Sequence, residues 1–387
     1  MADKCRLAFC LFDYFPHGGL QRDFLSIAQE CAMRCGHVDV YTGSWTGEQP
    51  DNINVKILPV RGITNHGRSE YFSRQFNKHV KSGMYNAVVG FNKMPGLDVY
   101  FAADTCFAAK AEKKSFFHRI SPRYETYMRL ERAVFDKKSK TEILLISERE
   151  KPFYSNFYGT PDSRFHLLPP GIDTNLTARV NKKKIRSAIC FELFENNKSG
   201  NNKIDMKDPD CMLILMVGSG FKTKGVDRSI KSVSALPDKI RKKTALLIVG
   251  RDNKKPFLKL ARRLKVSDRV FFIGTRDDVP NFFISSDLLL HPARVETAGK
   301  VLLEAMACGL PVLVTDVCGY SSHVKNADAG ELLSSPFNQK ALNKRLLSML
   351  TSHKKEYWGK KGSEYVLKND MSGMTQKAVD FIMKVAK

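Results

Sequence analysis

The sequence predicts an α/β protein built as two doubly wound domains with mostly parallel sheets, facing a central cleft. Three observations carry this. The opening stretch RLAFCLF, HGGLQRDF, an apolar-periodic run to Cys35, Gly36 and HVDVYT reads as strand, glycine loop, helix, stop and strand. The same alternation starts afresh beyond residue 210, in short Val/Ile/Leu runs of the kind buried on both faces of a parallel sheet. At 387 residues the chain is long enough for two separate cores.

Taken in order, the first half continues with strands at 55–59, 87–91, 97–103 and 143–147, each a short β-rich run bounded by polar residues. Around HLLPPGID (166–173) a Pro-Pro-Gly turn breaks the pattern and sets the domain boundary, giving an N-terminal domain of 1–168. Residues 174–210 are polar, read as a linker with a surface loop insertion over 185–210. CMLILMVG, TALLIVG, RVFFIG, DLLLHPA and PVLVT then supply strands. Helices alternate with them near 225–235, 255–265, 279–286 and 299–308, in a C-terminal domain of 169–360. The end of the chain is helical, and 361–387 is expected to pack back on the N-terminal domain.

Composition narrows the function. The 63 Lys+Arg outnumber the 40 Asp+Glu, a net charge of +23 that favours an anionic partner or a solvated basic surface. The nine cysteines form no CxxC pair or metal-like cluster, which predicts free thiols in a reducing compartment. No stretch approaches the roughly 20 apolar residues of a membrane span, and no secretory signal is visible. The expectation is a cytoplasmic protein. Asn175 and Thr177 complete a glycosylation sequon that has no meaning there.

The chemistry concentrates in ETAGKVLLEAMACGLPVLVT (296–315). After the strand DLLLHPA, the small residues Ala298 and Gly299 precede a helix expected over 300–308, closed by Gly309-Leu310-Pro311. The free N–H groups of that first turn make an anion site suited to phosphate. Carboxylates are poor phosphate ligands, so Glu296 and Glu304 are expected to face hydroxyl groups; a capping acid and a surface glutamate are the plainer alternative. VGSGFKTKGVDRSI places Lys222 and Lys224 beside a second helix start, where a cation neutralises a diphosphate. It is no Walker loop, because GxxxxGK[ST] is absent. In the first half, Gly18 and Gly19 admit a ligand after the first strand, Arg22 and Asp23 follow on the helix, and Asp104 ends a strand on the cleft side. Asp208-Pro-Asp210 spells a DxD, but within a polar loop and with a proline, so no metal is expected.

Together these strings resemble the retaining glycosyltransferases of family 4, whose signature is two glutamates separated by seven residues, here Glu296 and Glu304. YFPHGGLQRDF, TNHGR, VGFNKMPGLDVYFAAD and LLLHPA more narrowly resemble the lipopolysaccharide core glucosyltransferase I family of Gram-negative bacteria, over nearly the whole chain except 185–210. The resemblance implies a GT-B fold of two Rossmann-like domains and transfer of glucose from UDP-glucose to a heptose of the lipopolysaccharide inner core. It implies Lys224 and Arg276 on the diphosphate, Glu304 on the ribose, and Glu296 with Ala298, Gly299, Lys300 and Val301 on the sugar and phosphate. Gly19 would admit the leaving phosphate, with Asp23 nearby, and Asp104 would orient or deprotonate the acceptor. One departure is Thr223-Lys224-Gly225, where relatives pair Arg with Lys; Lys222 is the candidate substitute. Another donor or acceptor on the same fold, a nucleotide-sugar epimerase and a basic nucleic-acid binder are the alternatives, although no nucleic-acid-binding signature appears.

Residues 107–140 interleave Lys113, Lys114, Arg119 and Arg123 with Phe116, Phe117, Tyr124 and Tyr127. That pattern fits either an anionic membrane surface or a helix burying its aromatics in the core. A membrane-embedded acceptor favours the first, with the protein peripheral on the cytoplasmic face of the inner membrane.

Overall fold

The computed structural model describes residues 5–16, 18–112, 114–115, 119–174, 181–192 and 211–387. They form two compact units, 1–171 with 372–387, and 172–371. The first contains a seven-stranded sheet of β1 (Leu7–Tyr14), β2 (Val38–Trp45), β3 (Asn54–Ile57), β4 (Ala87–Gly90), β5 (Val99–Ala102), β6 (Glu142–Leu145) and β7 (Phe165–Leu167), in the order β3-β2-β1-β4-β5-β6-β7. The second contains β8 (Met212–Val217), β9 (Thr244–Val249), β10 (Val270–Gly274), β11 (Leu288–His291), β12 (Val312–Thr315) and β13 (Gly330–Leu333), in the order β10-β9-β8-β11-β12-β13. Every strand pair is parallel. In each sheet the order reverses beside the first strand, the switch point where such sheets bind ligands at their carboxyl ends.

Helices of the first unit are α1 (Gly19–Cys35), α2 (Asn65–His79), α3 (Phe107–Glu112), α4 (Pro122–Phe135) and α5 (Lys151–Tyr158). Ser121 caps α4 by accepting the Tyr124 N–H at 3.2 Å, with Pro122 at the first turn. One face of α4 is core: Leu130, Val134 and Phe135 are buried, and Phe135 stacks on Tyr154 at 3.6 Å between centroids.

Three expectations need correction. The linker of 174–210 holds a helix, α6 (Lys182–Cys190), capped by Asn181. Its Arg186 reaches the Ser285 carbonyl at 2.7 Å and Asp287 at 3.0 Å, so polar residues here bond to a neighbouring strand end rather than to solvent. The rest of the insertion, 193–210 with the Asp208–Asp210 motif, lies outside the described residues, as do Asn175 and Thr177. Second, edge strands β7 and β13 were not anticipated; they are only partly buried and so lack the continuous apolar run that marks the inner strands. Third, the chain returns to the first unit at 372, not 361.

The remaining helices of the second unit are α7 (Phe221–Lys224), α8 (Val226–Ser234), α9 (Asp238–Arg241), α10 (Lys255–Arg263), α11 (Val279–Ser285), α12 (Lys300–Ala307), α13 (Ser321–Asn326), α14 (Gln339–Thr351) and α15 (Lys355–Lys368). Trp358, Gly359, Gly362 and Val366 of α15 are buried, which keeps that helix in the second unit. Only α16 (Met374–Val385) belongs to the first, burying Ala378, Val379 and Ile382. Among the described residues, no helix is long and apolar enough to cross a membrane.

Candidate active site

Two loops at the carboxyl ends of β8 and β11 build the centre of the second unit. After β8, Gly218 holds φ at +131°, and a Cβ there would lie 3.2 Å from the Lys224 side chain. The glycine therefore clears the path that the lysine stem follows. Buried Phe221 anchors α7, and its N–H donates to Asp252 at 2.7 Å. Gly225 then turns the chain at φ +81°, so close to the next loop that a Cβ would sit 2.2 Å from the Pro292 carbonyl oxygen. This crowded turn delivers Lys224 to Glu296.

Lys224 Nζ bonds Glu296 Oε2, and His291 Nε2 lies 3.3 Å from the same oxygen. His291 ends β11 fully buried, and its Nδ1 has no hydrogen-bond partner among the described residues. Burial alone would raise the Glu296 pKa. The hydrogen bond from His291 and the charge and hydrogen bond of Lys224 outweigh it, holding the carboxyl at about 2. Glu296 is thus a fixed anion at neutral pH.

Its backbone is fixed as well. The Glu296 carbonyl accepts from Gly319 N–H at 3.1 Å, and the Ala298 carbonyl from Tyr320 N–H at 2.8 Å. Gly299 caps α12 in the left-handed region (φ +92°), with the Glu296 side chain only 3.2 Å from where a Cβ would stand. Ala298 and Val301 are buried, and Glu304 is half-buried four residues beyond Lys300, on the same helix face. The small residues thus bring Glu296 against the helix start, beside the positive end of its dipole.

Among the other donor-site candidates, Lys222 is exposed on α7. Arg276 follows β10, two strands from β8, and is held by Glu192 at 2.5 and 3.0 Å and by Asp278 at 2.7 and 2.9 Å. Reaching a phosphate would mean giving up those carboxylates.

Sequence reasoning missed three supports. His291 passed as a strand residue. Arg294 forms a fork with Asp227 at 2.8 and 2.8 Å and bonds the Lys222 carbonyl at 2.7 Å, bracing α7. Arg228 bonds the Pro292 and Ala293 carbonyls, each at 3.0 Å, over the Phe337 ring. No local pattern sets these two arginines apart among 63 cationic residues.

In the first unit, Gly19 opens α1, and a Cβ there would meet nothing within 4 Å. The close approach is instead at Gly18, where a Cβ would fall 1.9 Å from Gln21 Oε1. Asp23 is buried on α1. Asp104 lies past the end of β5, exposed, its carbonyl accepting from the Tyr154 hydroxyl at 2.9 Å. It lines a cavity of about 410 Å³ together with Lys93, Lys110, Arg123 and Tyr127.

Lys114 and Arg119 are exposed, beside Ile120 at 64% exposure. Arg123 lies over the Tyr127 ring at 5.7 Å, and Tyr127 packs on Phe107 at 5.3 Å. Tyr124 also packs on Phe107, at 6.1 Å, so these two tyrosines face the domain in part. Lys113, Phe116 and Phe117 lie outside the described residues. Among the described residues, no three His, Cys, Asp or Glu side chains cluster as a metal site.

A family model described as glycosyl transferases group 1 matches residues 198–365. Lipopolysaccharide glucosyltransferase WaaG of Escherichia coli K12 is 41% identical over 378 residues, spanning 97% of this chain and 98% of its own. A crystal structure of WaaG, 40% identical, matches with a TM-score of 0.88 over 97% of this chain and 99% of that one. Anabaena HepE in complex with UDP-glucose, 16% identical, shares the fold alone, with a TM-score of 0.69 over 98% of each chain. The protein is therefore a glycosyltransferase of GT-B architecture, with two Rossmann-like domains. It belongs to the family of the lipopolysaccharide glucosyltransferase WaaG.

Proposed function

We propose that the protein transfers glucose from UDP-glucose to a heptose of the lipopolysaccharide inner core, with retention of configuration and without a metal ion. The observation that carries this is the ionic cluster of Lys224, Glu296 and His291 at the start of α12. It joins a cation for a leaving diphosphate, an oriented carboxylate for sugar hydroxyls and the positive end of a helix dipole for phosphate.

In this reading Glu304 holds the ribose, and Lys224 is shared between Glu296 and the diphosphate, with Lys222 in the place of the family arginine. Charge developing on UDP is met by Lys224 and by the amides of Gly299, Lys300 and Val301. The departing phosphate oxygen takes the acceptor proton, which needs no carboxylate nucleophile. Gly19 leaves space for that phosphate at the first domain, and Asp104 orients the acceptor hydroxyl. The exposed Lys114, Arg119 and Ile120 support peripheral binding to the cytoplasmic face of the inner membrane.

The test is UDP release from UDP-glucose, with and without heptose-terminated core lipid, in excess chelator. Acceptor-dependent release that survives chelation is expected. Lys224→Ala and Glu296→Ala should each lower kcat about 100-fold or more, the scale of losing one transition-state contact. A Glu296→Ala enzyme with normal turnover removes the assignment.

A further inference from the structure

The cavity beside Asp104 sits at the carboxyl ends of β1, β4 and β5, wholly within the first unit. Its volume of about 410 Å³ is in the roughly 300–1,000 Å³ range of small-molecule sites. The charges around it are unequally committed. Lys93 is consumed by the fold, its Nζ 2.5 Å from buried Glu131 and 2.9 Å from the Thr105 carbonyl. Glu131 also accepts the N–H groups of Phe107 and Ala108 at 2.7 and 3.0 Å, fixing the start of α3 at the cavity wall.

Among the described residues Lys110 and Arg123 make no ion pair and the Asp104 carboxylate accepts no hydrogen bond, although Asp104 lies near enough to act on the Lys110 charge. Thr105 is 9% exposed, and its hydroxyl has no partner among the described residues. An orphaned buried hydroxyl costs free energy unless a bound molecule satisfies it. Partial desolvation at the cavity mouth draws the Lys110 ammonium below its ordinary pKa against the pull of Asp104, and a bound anion would favour its charged form. Arg123 lies over the Tyr127 ring, which limits how its guanidinium can turn.

We propose that this cavity selects the acceptor by an anionic substituent, a phosphate or carboxylate bound by Lys110 and Arg123. Asp104 repels an anion and so takes a hydroxyl of the same sugar, while the Thr105 hydroxyl donates to the ligand. A neutral sugar would leave Lys110 and Arg123 without a direct ion-pair partner, since Asp104 alone faces both. The proposal rests on the transferase reading above and adds to it the charge of the acceptor.

The experiment uses the full chain, UDP-glucose and a deacylated, water-soluble core oligosaccharide, so that no lipid surface contributes. The oligosaccharide is offered untreated, dephosphorylated and carboxyl-reduced. In the wild type, one of the two treatments raises the acceptor KM about tenfold or more, as losing a bond to a charged group does, and which one identifies the anion. Lys110→Gln and Arg123→Gln raise KM for the untreated acceptor similarly and no longer distinguish it from the treated one. An unchanged urea transition of the first unit, which carries both side chains, reports that both variants are folded. Equal KM for all three acceptors in the wild type, or variants that still discriminate, overturns the proposal. If the wild type glucosylates none of them, the transferase reading itself fails, and this inference with it.

Discussion

Glu296 owes its ionisation to two partners rather than to solvent, and that gives a pH dependence with a definite sign. Its ordinary pKa is 4.5 and its folded value about 2. A depressed folded pKa stabilises above the unfolded value, and the contribution is lost as pH falls from about 4.5 toward 2. Glu296→Gln should therefore lower stability at pH 7 by about 1–3 kcal/mol, leaving Lys224 and His291 without their anion. That deficit should shrink as pH falls from about 4.5 toward 2, because the carboxyl of the unfolded chain takes up its proton first while the folded one stays ionised. Thermal melts of both proteins across this range are the measurement. A deficit that stays constant would mean Glu296 is not ionised by this cluster. At this scale Glu296, Lys224 and Gly299 were legible because a glycine or a helix start marks each of them. His291 was not: nothing in LLLHPA says that its ring would point at a residue five positions on.

The helix bearing Glu304 depends on another helix that sequence reasoning could not pair with it. Gly359 of α15 lies where a Cβ would be 2.2 Å from the Gly309 carbonyl oxygen, just beyond α12, and a Cβ at Gly362 would stand 3.2–3.4 Å from Met306 and Ala329. Two glycines inside a helix lower its propensity, so YWGKKGSEY reads as a weak helix; the close crossing with α12 explains them. Gly359→Ala therefore sets two effects against each other. Helix propensity gains about 1 kcal/mol. The new methyl meets backbone, which cannot rotate away, and such overpacking costs about 1–3 kcal/mol or more. The expected outcome is a lower Tm and weaker UDP-glucose binding, since α12 shifts with Gly309. A raised Tm would show that the crossing yields easily. The α12 span itself was legible from Gly299 and the Gly-Leu-Pro stop, whereas α6 was hidden because its stabilising bonds come from residues a hundred positions away.

At the scale of the whole molecule, the chain alternation was legible from its two glycine-loop starts, but the point of its return was not. From 339 onward the sequence is helix-forming with few breaks, and only burial distinguishes α15, packed in the second unit, from α16, packed in the first. The two crossings run side by side: the Ile172 N–H donates to the Met371 carbonyl at 2.8 Å. Gly171 then passes so close to Met374 that a Cβ would stand 2.7 Å from its side chain. The last 16 residues thereby complete a domain that the chain left 200 residues earlier. What fastens α16 there can be decided by magnitude. Arg34 on α1 meets Asp380 at 2.6 Å, but the two side chains are 30% and 57% exposed, and solvent screens such a pair. Ile382 is fully buried, and truncating a buried Ile to Ala costs about 2–5 kcal/mol. Ile382→Ala should therefore lower the urea midpoint of the first unit clearly, while Arg34→Ala leaves it within experimental scatter. Equal shifts from the two variants would make the ion pair, not the apolar face, the fastening of the domain. The second unit's transition should move in neither, because neither side chain belongs to it.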